Sequence, residues 1–172
     1  MKLAVISDTH RKFPLAKEMI DLLVSEGAQY FVHAGDICEY DTLEYIKNTN
    51  LPYVAVYGNN DAAMVQYHND FNLHKEPYYF KIEDVKFKLM HLPYYLTPDS
   101  DVVIFGHTHI FTVEQKNNTL FLNPGEVCAR EKPLSEGVLL EITSKEYIVN
   151  YFAKEIQTNR IKTKEYRFQR EI

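Results

Sequence analysis

The first third of the chain alternates short apolar runs with helix-forming segments, and this alternation restricts the fold more than any other feature of the sequence. Residues 3–6, 30–32 and 53–57 are short, mainly apolar runs, as expected of strands buried on both faces of a sheet. Between the first two, Pro14 and Gly27 bracket a predicted helix. A shorter helix is predicted at about 41–47. Strands that alternate with helices pair in parallel, which favours an α/β fold.

Hairpins replace helices in the rest of the chain. Asn117 and Asn118 tolerate the positive φ of a tight turn, so they are expected to join two strands. Helices early and hairpins late suggest two β-sheets packed face to face with helices outside. The later strands are predicted over 78–82, 85–90, 102–105, 111–115, 119–122, 138–142 and 146–152.

Composition and charge place the chain among single-domain globular proteins. It has 172 residues, and its 45% hydrophobic and 25% charged residues exclude whole-chain disorder, collagen and coiled coil. A formal net charge of −5 weighs against a nucleic-acid partner, since such proteins usually carry a basic surface. Two cysteines cannot build a disulfide framework, and the longest uninterrupted apolar run is only residues 53–57. We therefore expect a cytoplasmic protein with neither a nucleic-acid nor a membrane partner.

Potential metal ligands follow five predicted strands, in each case where the strand ends. Ligands of open α/β sheets bind outside the carboxyl ends of the strands, so these side chains are expected to meet at one site. Several of them follow a glycine, which suits a sharp turn close to an ion. The seven residues are Asp8, His10, Asp36, Asn59, His91, His107 and His109.

Seven ligands are too many for one ion and suit two ions that share a bridging carboxylate. Asp8 with His10, and His107 with His109, are i, i+2 pairs, and in an extended chain both members of such a pair face the same side. Mixed imidazole and carboxylate ligands favour manganese, iron, zinc or a similar ion over magnesium or calcium. The positive charge of two divalent ions exceeds the negative charge of two aspartates. The resulting site has a net positive charge, which suits an anionic phosphoryl group.

The order of the motifs points to a known family. They are Asp-Thr-His at 8–10, Gly-Asp at 35–36, Gly-Asn-Asn-Asp at 58–61, His91, and Gly-His-Thr-His at 106–109. This series resembles the calcineurin-like metallophosphoesterase superfamily. Within it, the chain is similar to the small single-domain bacterial and archaeal phosphodiesterases, which share the Ser-Asp-Thr-His opening and an Asn-Pro-Gly turn like that at 123–125. The resemblance implies an α/β fold, a four-layer αββα sandwich with two mixed β-sheets face to face and helices outside.

The resemblance also implies a function, the hydrolysis of a phosphoester, favouring a phosphodiester, by attack of a metal-bridging hydroxide. It implies two divalent ions, with manganese favoured and nickel, iron, zinc or magnesium as alternatives. The expected partner is a small-molecule phosphoester, and homo-oligomerisation is left open. Asp8, His10 and His109 would bind the first ion, Asp36 would bridge both, and Asn59, His91 and His107 would bind the second. The implied catalytic residues are Asp36, Asn59, Asn60, Asp61 and His91.

Three positions depart from the family pattern. Asn60 stands where many members carry a histidine that helps to protonate the leaving group, and an amide has no titratable proton at neutral pH. Residues 92–95 (Leu-Pro-Tyr-Tyr) predict a shortened or lost lid helix, which leaves Tyr94 and Tyr95 at the pocket mouth or packed on the second sheet. Glu126 stands where relatives usually have serine, and its charge near the metals is expected to disfavour highly charged substrates.

The C-terminal stretch differs in charge from the rest. Residues 154–172 contain six basic and three acidic residues, which is formally +3. We expect a metallophosphoesterase domain over 1–153 and a charged extension over 154–172. The extension is expected to form a solvated tail or an edge strand, or else to contact another subunit or an acidic partner.

A scaffold is the alternative function. A retromer subunit shares the family's fold, yet works through protein contacts with a degenerate metal site. All seven ligand positions are filled in this chain, which favours an enzyme over a scaffold.

Overall fold

The computed structural model describes residues 1–170, and every strand in that range belongs to one of two mixed β-sheets. Two α-helices and one 3₁₀ helix (Ala62–Tyr67) complete the regular structure of this range. The helices are α1 (Phe13–Ser25) and α2 (Tyr40–Asn48). The strands are β1 (Lys2–Ile6), β2 (Tyr30–His33), β3 (Tyr53–Val56), β4 (Leu73–His74), β5 (Tyr78–Ile82), β6 (Val85–Leu89), β7 (Val102–Ile104), β8 (Thr112–Lys116), β9 (Thr119–Asn123), β10 (Leu134–Ile142), β11 (Glu146–Glu155) and β12 (Ile161–Gln169).

The larger sheet has seven strands in the order β12-β11-β10-β1-β2-β3-β4. Its first three strands along the chain pair in parallel, as the alternation of strands and helices predicts. The last three strands extend the sheet on the other side of β1 in antiparallel pairs. The five-stranded sheet, in the order β5-β6-β7-β9-β8, is also mixed. Two parallel pairs at its centre are flanked by two hairpins.

The two sheets pack face to face around the main apolar core, so the predicted sandwich is confirmed. Alternate residues of β1 and β10 face alternate residues of β6, β7 and β9 across this core. The helix α1 covers the outer face of the larger sheet with its buried Ala16, Met19, Ile20 and Leu23, which recur at helical spacing. Pro14 supplies the fixed φ that suits a first helical turn.

An irregular segment, rather than a helix, runs between β6 and β7. Residues 90–101 contain no helix, as the short spacing and Pro93 predict. The segment contacts the outer face of the smaller sheet through Lys88, whose ammonium group donates to Thr97 and Asp99. Tyr94 and Tyr95 are 72% and 61% exposed, so neither is packed into this surface.

The C-terminal segment forms an edge strand of the larger sheet. β12 pairs antiparallel with β11 from Ile161 to Gln169, and β11 itself continues to Glu155. Across residues 1–170, no helix has both the length and the apolar character needed to cross a membrane.

Sheet topology brings the predicted ligand loops to one edge of the sandwich. The strands β1, β2 and β3 run parallel in one sheet, and β6 and β7 run parallel in the other. The loops that follow these five strands carry all seven predicted ligands. Hydrogen bonds link the two sheets at this edge, such as that from the imidazole of His91 to the carbonyl of Ala34.

Candidate metal centre

The first ligand cluster gathers around the Asp8 carboxylate. Its Oδ1 lies 3.6 Å from His10 Nε2 and 3.3 Å from His109 Nε2. The nitrogen of His10 is also 3.4 Å from Asp36 Oδ2. The rings of His10 and His109 are stacked, with their centroids 5.2 Å apart. One aspartate from the loop after β1, one from the loop after β2 and two histidines therefore converge on one point.

The second cluster shares Asp36 with the first. His91 Nε2 lies 3.4 Å from Asp36 Oδ2 and 2.9 Å from Asn59 Oδ1. His107 Nδ1 completes the set, 3.1 Å from the same Asn59 oxygen. Because Asp36 Oδ2 borders both clusters, this carboxylate is placed to bridge two ions.

Two observations test whether the side chains fit metal ions. Asp8 Oδ1 and His10 Nε2 are buried and have no hydrogen-bond partner among residues 1–170. Buried polar atoms without partners are rare, and an ion would satisfy both of them. Zinc-like ions bind nitrogen and oxygen at about 2.0–2.2 Å, so neighbouring ligands of one ion lie about 3.0–3.6 Å apart. The separations given above for both clusters, from 2.9 to 3.6 Å, lie within about 0.1 Å of this range.

Two histidines are held with Nε2 toward the clusters. His91 Nδ1 lies 2.8 Å from the carbonyl oxygen of Ala34, which can only accept a hydrogen bond. His109 Nδ1 lies 2.6 Å from the carboxylate of Glu126. In both residues Nδ1 therefore carries a proton, and Nε2 is the nitrogen that faces the clusters. Partners of this kind orient metal-bound histidines and fix their tautomer.

Glu126 is a support for His109 and does not face a substrate. Its side chain is fully buried, so it does not contact a substrate directly, and the expectation that its charge disfavours highly charged substrates stays a prediction. Its oxygens accept hydrogen bonds from the backbone N–H groups of residues 130–132 as well as from His109. Burial alone would raise the pKa of Glu126, but the hydrogen bonds from His109 and the backbone lower that pKa below its ordinary value.

The ligands occupy an unusual backbone conformation. Five of the seven have a positive φ, and each such non-glycine residue costs about 1–3 kcal/mol. The two i, i+2 pairs therefore reach their clusters through left-handed turns, and the expectation that they do so in an extended chain is wrong. The five angles are 56° at Asp8, 42° at His10, 55° at Asp36, 67° at His107 and 59° at His109.

Close backbone approach explains the glycines that precede ligands. A Cβ atom at Gly58 would lie 2.2 Å from Asp36 Oδ1 and 2.3 Å from the Asp36 amide nitrogen. A Cβ atom at Gly106 would lie 2.1 Å from the hydroxyl oxygen of Ser7. Only glycine lets these loops pass so close to each other.

Asn60 and Asp61 form hydrogen bonds with the loops that carry the predicted ligands. The Asn60 amide donates from Nδ2 to Asp36 Oδ2 at 2.8 Å, and its backbone N–H donates to Asp36 Oδ1 at 2.9 Å. Burial would raise the pKa of Asp36, but hydrogen bonds from His91 and Asn60 lower it well below its usual range. The buried Asp61 carboxylate accepts from the backbone N–H groups of Cys38 and Gly58, both at 2.7 Å. It thereby ties the loop after β2 to the loop after β3.

Two residues near the first cluster were assigned no role by the sequence analysis, although Ser7 belongs to its Ser-Asp-Thr-His motif. Ser7 donates to Asp8 Oδ2 at 2.6 Å, which leaves Oδ1 for the cluster. Cys128 groups with His10 and His109, with candidate ligand atoms within 4.8 Å of one another. Burial, followed by the charge of Glu126, raises the pKa of Cys128 to about 12. Ser7 directly follows the strand predicted at 3–6, whereas Cys128 follows no predicted strand and only the fold brings it to the site.

Two grooves flank the two clusters. The first, here the basic groove, has a volume of about 780 Å³ and is lined by residues that include Arg11, Lys12 and Arg130. The second, here the tyrosine groove, has a volume of about 650 Å³ and is lined by residues that include Tyr57 and His68. The basic groove reaches His10 and Asn60, and the tyrosine groove reaches Asn59. Tyr94 and Tyr95 line neither groove.

Comparison with known proteins gives a consistent picture. The family model of the calcineurin-like phosphoesterase superfamily domain matches residues 1–145. Phosphodiesterase MJ0936 from Methanocaldococcus jannaschii is 29% identical over 160 residues, which cover 86% of this chain and 96% of the relative. Phosphodiesterase YfcE from Escherichia coli is 26% identical over 162 residues, covering 81% of this chain and 87% of the relative.

A solved structure of a protein that is not named a phosphodiesterase has the same fold. Vacuolar Protein Sorting 29 from Cryptosporidium parvum superposes with a TM-score of 0.80 at 21% identity. The match covers 98% of each chain. This likeness concerns the arrangement of the two sheets over nearly the whole described chain.

Proposed function

Because the chain belongs to the calcineurin-like phosphoesterase superfamily, we propose that it is a dinuclear metal-dependent phosphodiesterase. The observation that carries this proposal is the convergence of seven ligand side chains, with Asp36 between two clusters and two buried ligand atoms left without partners. Two relatives with matching length, both named phosphodiesterases, support the same reaction class.

The two clusters would each hold one divalent ion. Asp8, His10 and His109 would hold the first, and Asn59, His91 and His107 the second, with Asp36 shared. Bound ions would supply a nucleophile by lowering the pKa of a water molecule and would neutralise charge on the phosphoryl group. The nitrogen-rich donor set favours manganese, zinc, iron or nickel over magnesium.

The residues around the clusters position the ligands. Glu126 keeps the proton of His109 on Nδ1, and the carbonyl of Ala34 does the same for His91. Asp61 fixes the loops that carry Asp36 and Asn59. These contacts preorganise the site, which reduces the reorganisation needed during reaction.

The two grooves support a diester over a monoester. A phosphodiester has two ester arms, and one groove reaches the first cluster at His10 while the other reaches the second at Asn59. A phosphoryl group held at the clusters would therefore have a separate place for each arm. A monoester would leave one groove unused.

Asn60 limits the leaving groups that the site can expel. Its amide occupies the approach to Asp36 and cannot donate a proton to a leaving oxygen. We expect aryl esters, whose leaving groups depart unprotonated, to be hydrolysed much faster than alkyl esters. Similar rates for matched aryl and alkyl diesters would contradict this role.

The test is hydrolysis of bis-(p-nitrophenyl) phosphate and p-nitrophenyl phosphate with manganese, nickel, zinc and magnesium. We expect metal-dependent activity that is greater on the diester and abolished in Asp36→Ala. Two bound ions without hydrolysis of either substrate would overturn the proposal. That result would favour a protein-binding scaffold, an alternative consistent with the likeness to Vacuolar Protein Sorting 29 in fold.

A further inference from the structure

The basic groove is distinguished by the charges of its lining. Arg11, Lys12 and Arg130 contribute three positive charges, and no aspartate or glutamate is among its lining residues. This balance opposes that of the whole chain, which has 24 acidic and 19 basic residues. A local excess of one sign in a concave surface attracts the opposite charge and raises its local concentration.

The three cations are available to a ligand. Among residues 1–170, the guanidinium of Arg11 donates only from Nε, to the carbonyl of Cys38 at 3.1 Å, which leaves its terminal nitrogens without a partner in that range. In the part of the chain that the structure describes, neither Arg11 nor Lys12 forms an ion pair. Arg130 Nε lies 3.4 Å from Glu131, but both side chains are more than half exposed and the contact is weak.

The backbone at Arg11 supports a functional reading of the groove. Arg11 has a φ of 60°, a conformation that glycine adopts without strain and arginine does not. Its side chain is exposed, so apolar packing does not account for an arginine at this position. Strain that persists at a non-glycine residue beside a reactive site suggests a requirement for its side chain.

The basic groove is continuous with the metal centre. Asn60 and Arg130 line both the groove and the smaller cavity over Asp36, Asn59 and His107. A molecule whose phosphoryl group lies at the two clusters would therefore extend directly into the groove. Its volume of about 780 Å³ is within the range that holds a nucleoside-sized group.

We propose that the basic groove binds a second phosphoryl group of the substrate, carried on one arm of the phosphodiester. Arg11 would recognise it through its free guanidinium nitrogens, with Lys12 and Arg130 adding charge. Leu15, Pro133 and Ile156 offer an apolar surface for the part of the arm between the two phosphoryl groups. This inference rests on the proposed diesterase function and names the class of substrate that it would select.

A matched pair of substrates tests the proposal. Thymidine 5′-(p-nitrophenyl phosphate) and the same compound with a 3′-phosphate differ only in the second phosphoryl group. We expect kcat/KM to be about tenfold or more higher for the 3′-phosphorylated compound, as charge-assisted hydrogen bonds of this strength imply. The preference should reside mainly in KM and should weaken with added salt.

Variants assign the preference to the groove. Arg11→Gly removes the guanidinium while relieving the positive φ, so it should retain the wild-type Tm and lose most of the preference. Arg130→Gln and Lys12→Gln should reduce the preference less. Lys145→Gln makes the same charge change in the β10–β11 turn, at the opposite end of β10 from the metal centre, and should leave the preference unchanged.

The outcomes separate this inference from the proposed function. Hydrolysis of both compounds at equal kcat/KM, or an equal preference in Arg11→Gly, would overturn the groove proposal while leaving the diesterase intact. If neither compound is hydrolysed, calorimetry with thymidine 3′,5′-bisphosphate and thymidine 5′-phosphate tests the groove alone. Tighter binding of the bisphosphate that is lost in Arg11→Gly would support the groove, and equal binding of the two would overturn it.

Discussion

The buried carboxylate of Glu126 offers a sharp test of how the metal centre is built. It accepts a hydrogen bond from His109 Nδ1 at 2.6 Å and several more from backbone N–H groups. Substitution of Glu126 by Gln keeps the shape of the side chain but replaces one acceptor oxygen by an NH₂ group. We expect Glu126→Gln to weaken metal binding and to destabilise the fold.

The contacts of each oxygen set the size of the effect. Oε1 accepts from the N–H groups of Glu131 and Lys132, both at 2.9 Å, while Oε2 accepts from His109 and from the N–H of Arg130 at 3.1 Å. Whichever way the amide is oriented, its NH₂ group faces two donors. Each buried donor left unsatisfied costs about 1–3 kcal/mol, so for two donors we expect a loss of about 2–6 kcal/mol. For a chain of this size, that loss lowers Tm by about 4–24 °C.

Metal binding should weaken because His109 loses the partner that orients it. Removal of such a partner typically costs about 10–100-fold in metal affinity. Urea unfolding of the metal-free protein gives the stability change, and calorimetry with manganese or zinc gives the affinity. Glu131→Gln is the matched control, since that side chain lies on the same loop, is 59% exposed and contacts Arg130. Wild-type metal affinity in a destabilised Glu126→Gln protein would refute the role in orienting His109.

Three further changes test other parts of the structure. Gly58→Ala places a methyl group against Asp36, so we expect metal binding measured by calorimetry to be lost, and unchanged affinity would contradict the close approach. Lys88→Met should change stability by about 1 kcal/mol or less, whereas Asp99→Ala should cost about 1–2 kcal/mol more because it leaves a buried ammonium group without its anion. Burial lowers the pKa of His33 to about 3, so between pH 6.5 and 3 the unfolded chain binds a proton that the folded chain does not. As the pH falls through this window, the metal-free protein should therefore lose about 1.4 kcal/mol of unfolding free energy per pH unit relative to His33→Asn. Urea unfolding of both proteins at several values between pH 4 and 7 measures this difference, and an unfolding free energy that changes equally with pH in the two proteins would exclude the effect.

Strands and helices could be predicted from the sequence because burial imposes a regular spacing of apolar residues. The runs at 30–32 and 53–57 become β2 and β3 with ends shifted by one residue. The helix predicted after Pro14 begins at Phe13 and buries the apolar stripe that its spacing describes. Parallel pairing then follows from topology, and parallel pairing brings strand ends together.

The convergence of the seven predicted ligands could be predicted for the same reason, but the residues that support them could not. Asp36 and His91 follow buried strands, so the strand order alone is enough to predict that they lie close together. Glu126 lies outside helices and strands. The orientation of its side chain depends on hydrogen bonds from the backbone N–H groups of residues 130–132, which sequence patterns do not reveal. The same holds for Asp61, whose partners come from two different loops.

Strain in the ligand loops links the metal centre to folding. Asp8, His10 and His109 each hold a positive φ, and Asp8 and His10 each present a buried atom without a partner among the described residues. Both features raise the free energy of the metal-free folded chain relative to the unfolded chain. Ions that bind the folded state offset this cost by mass action, and they do so at the residues that carry it. The residues proposed to bind the ions are thus also those whose strain bound ions would offset.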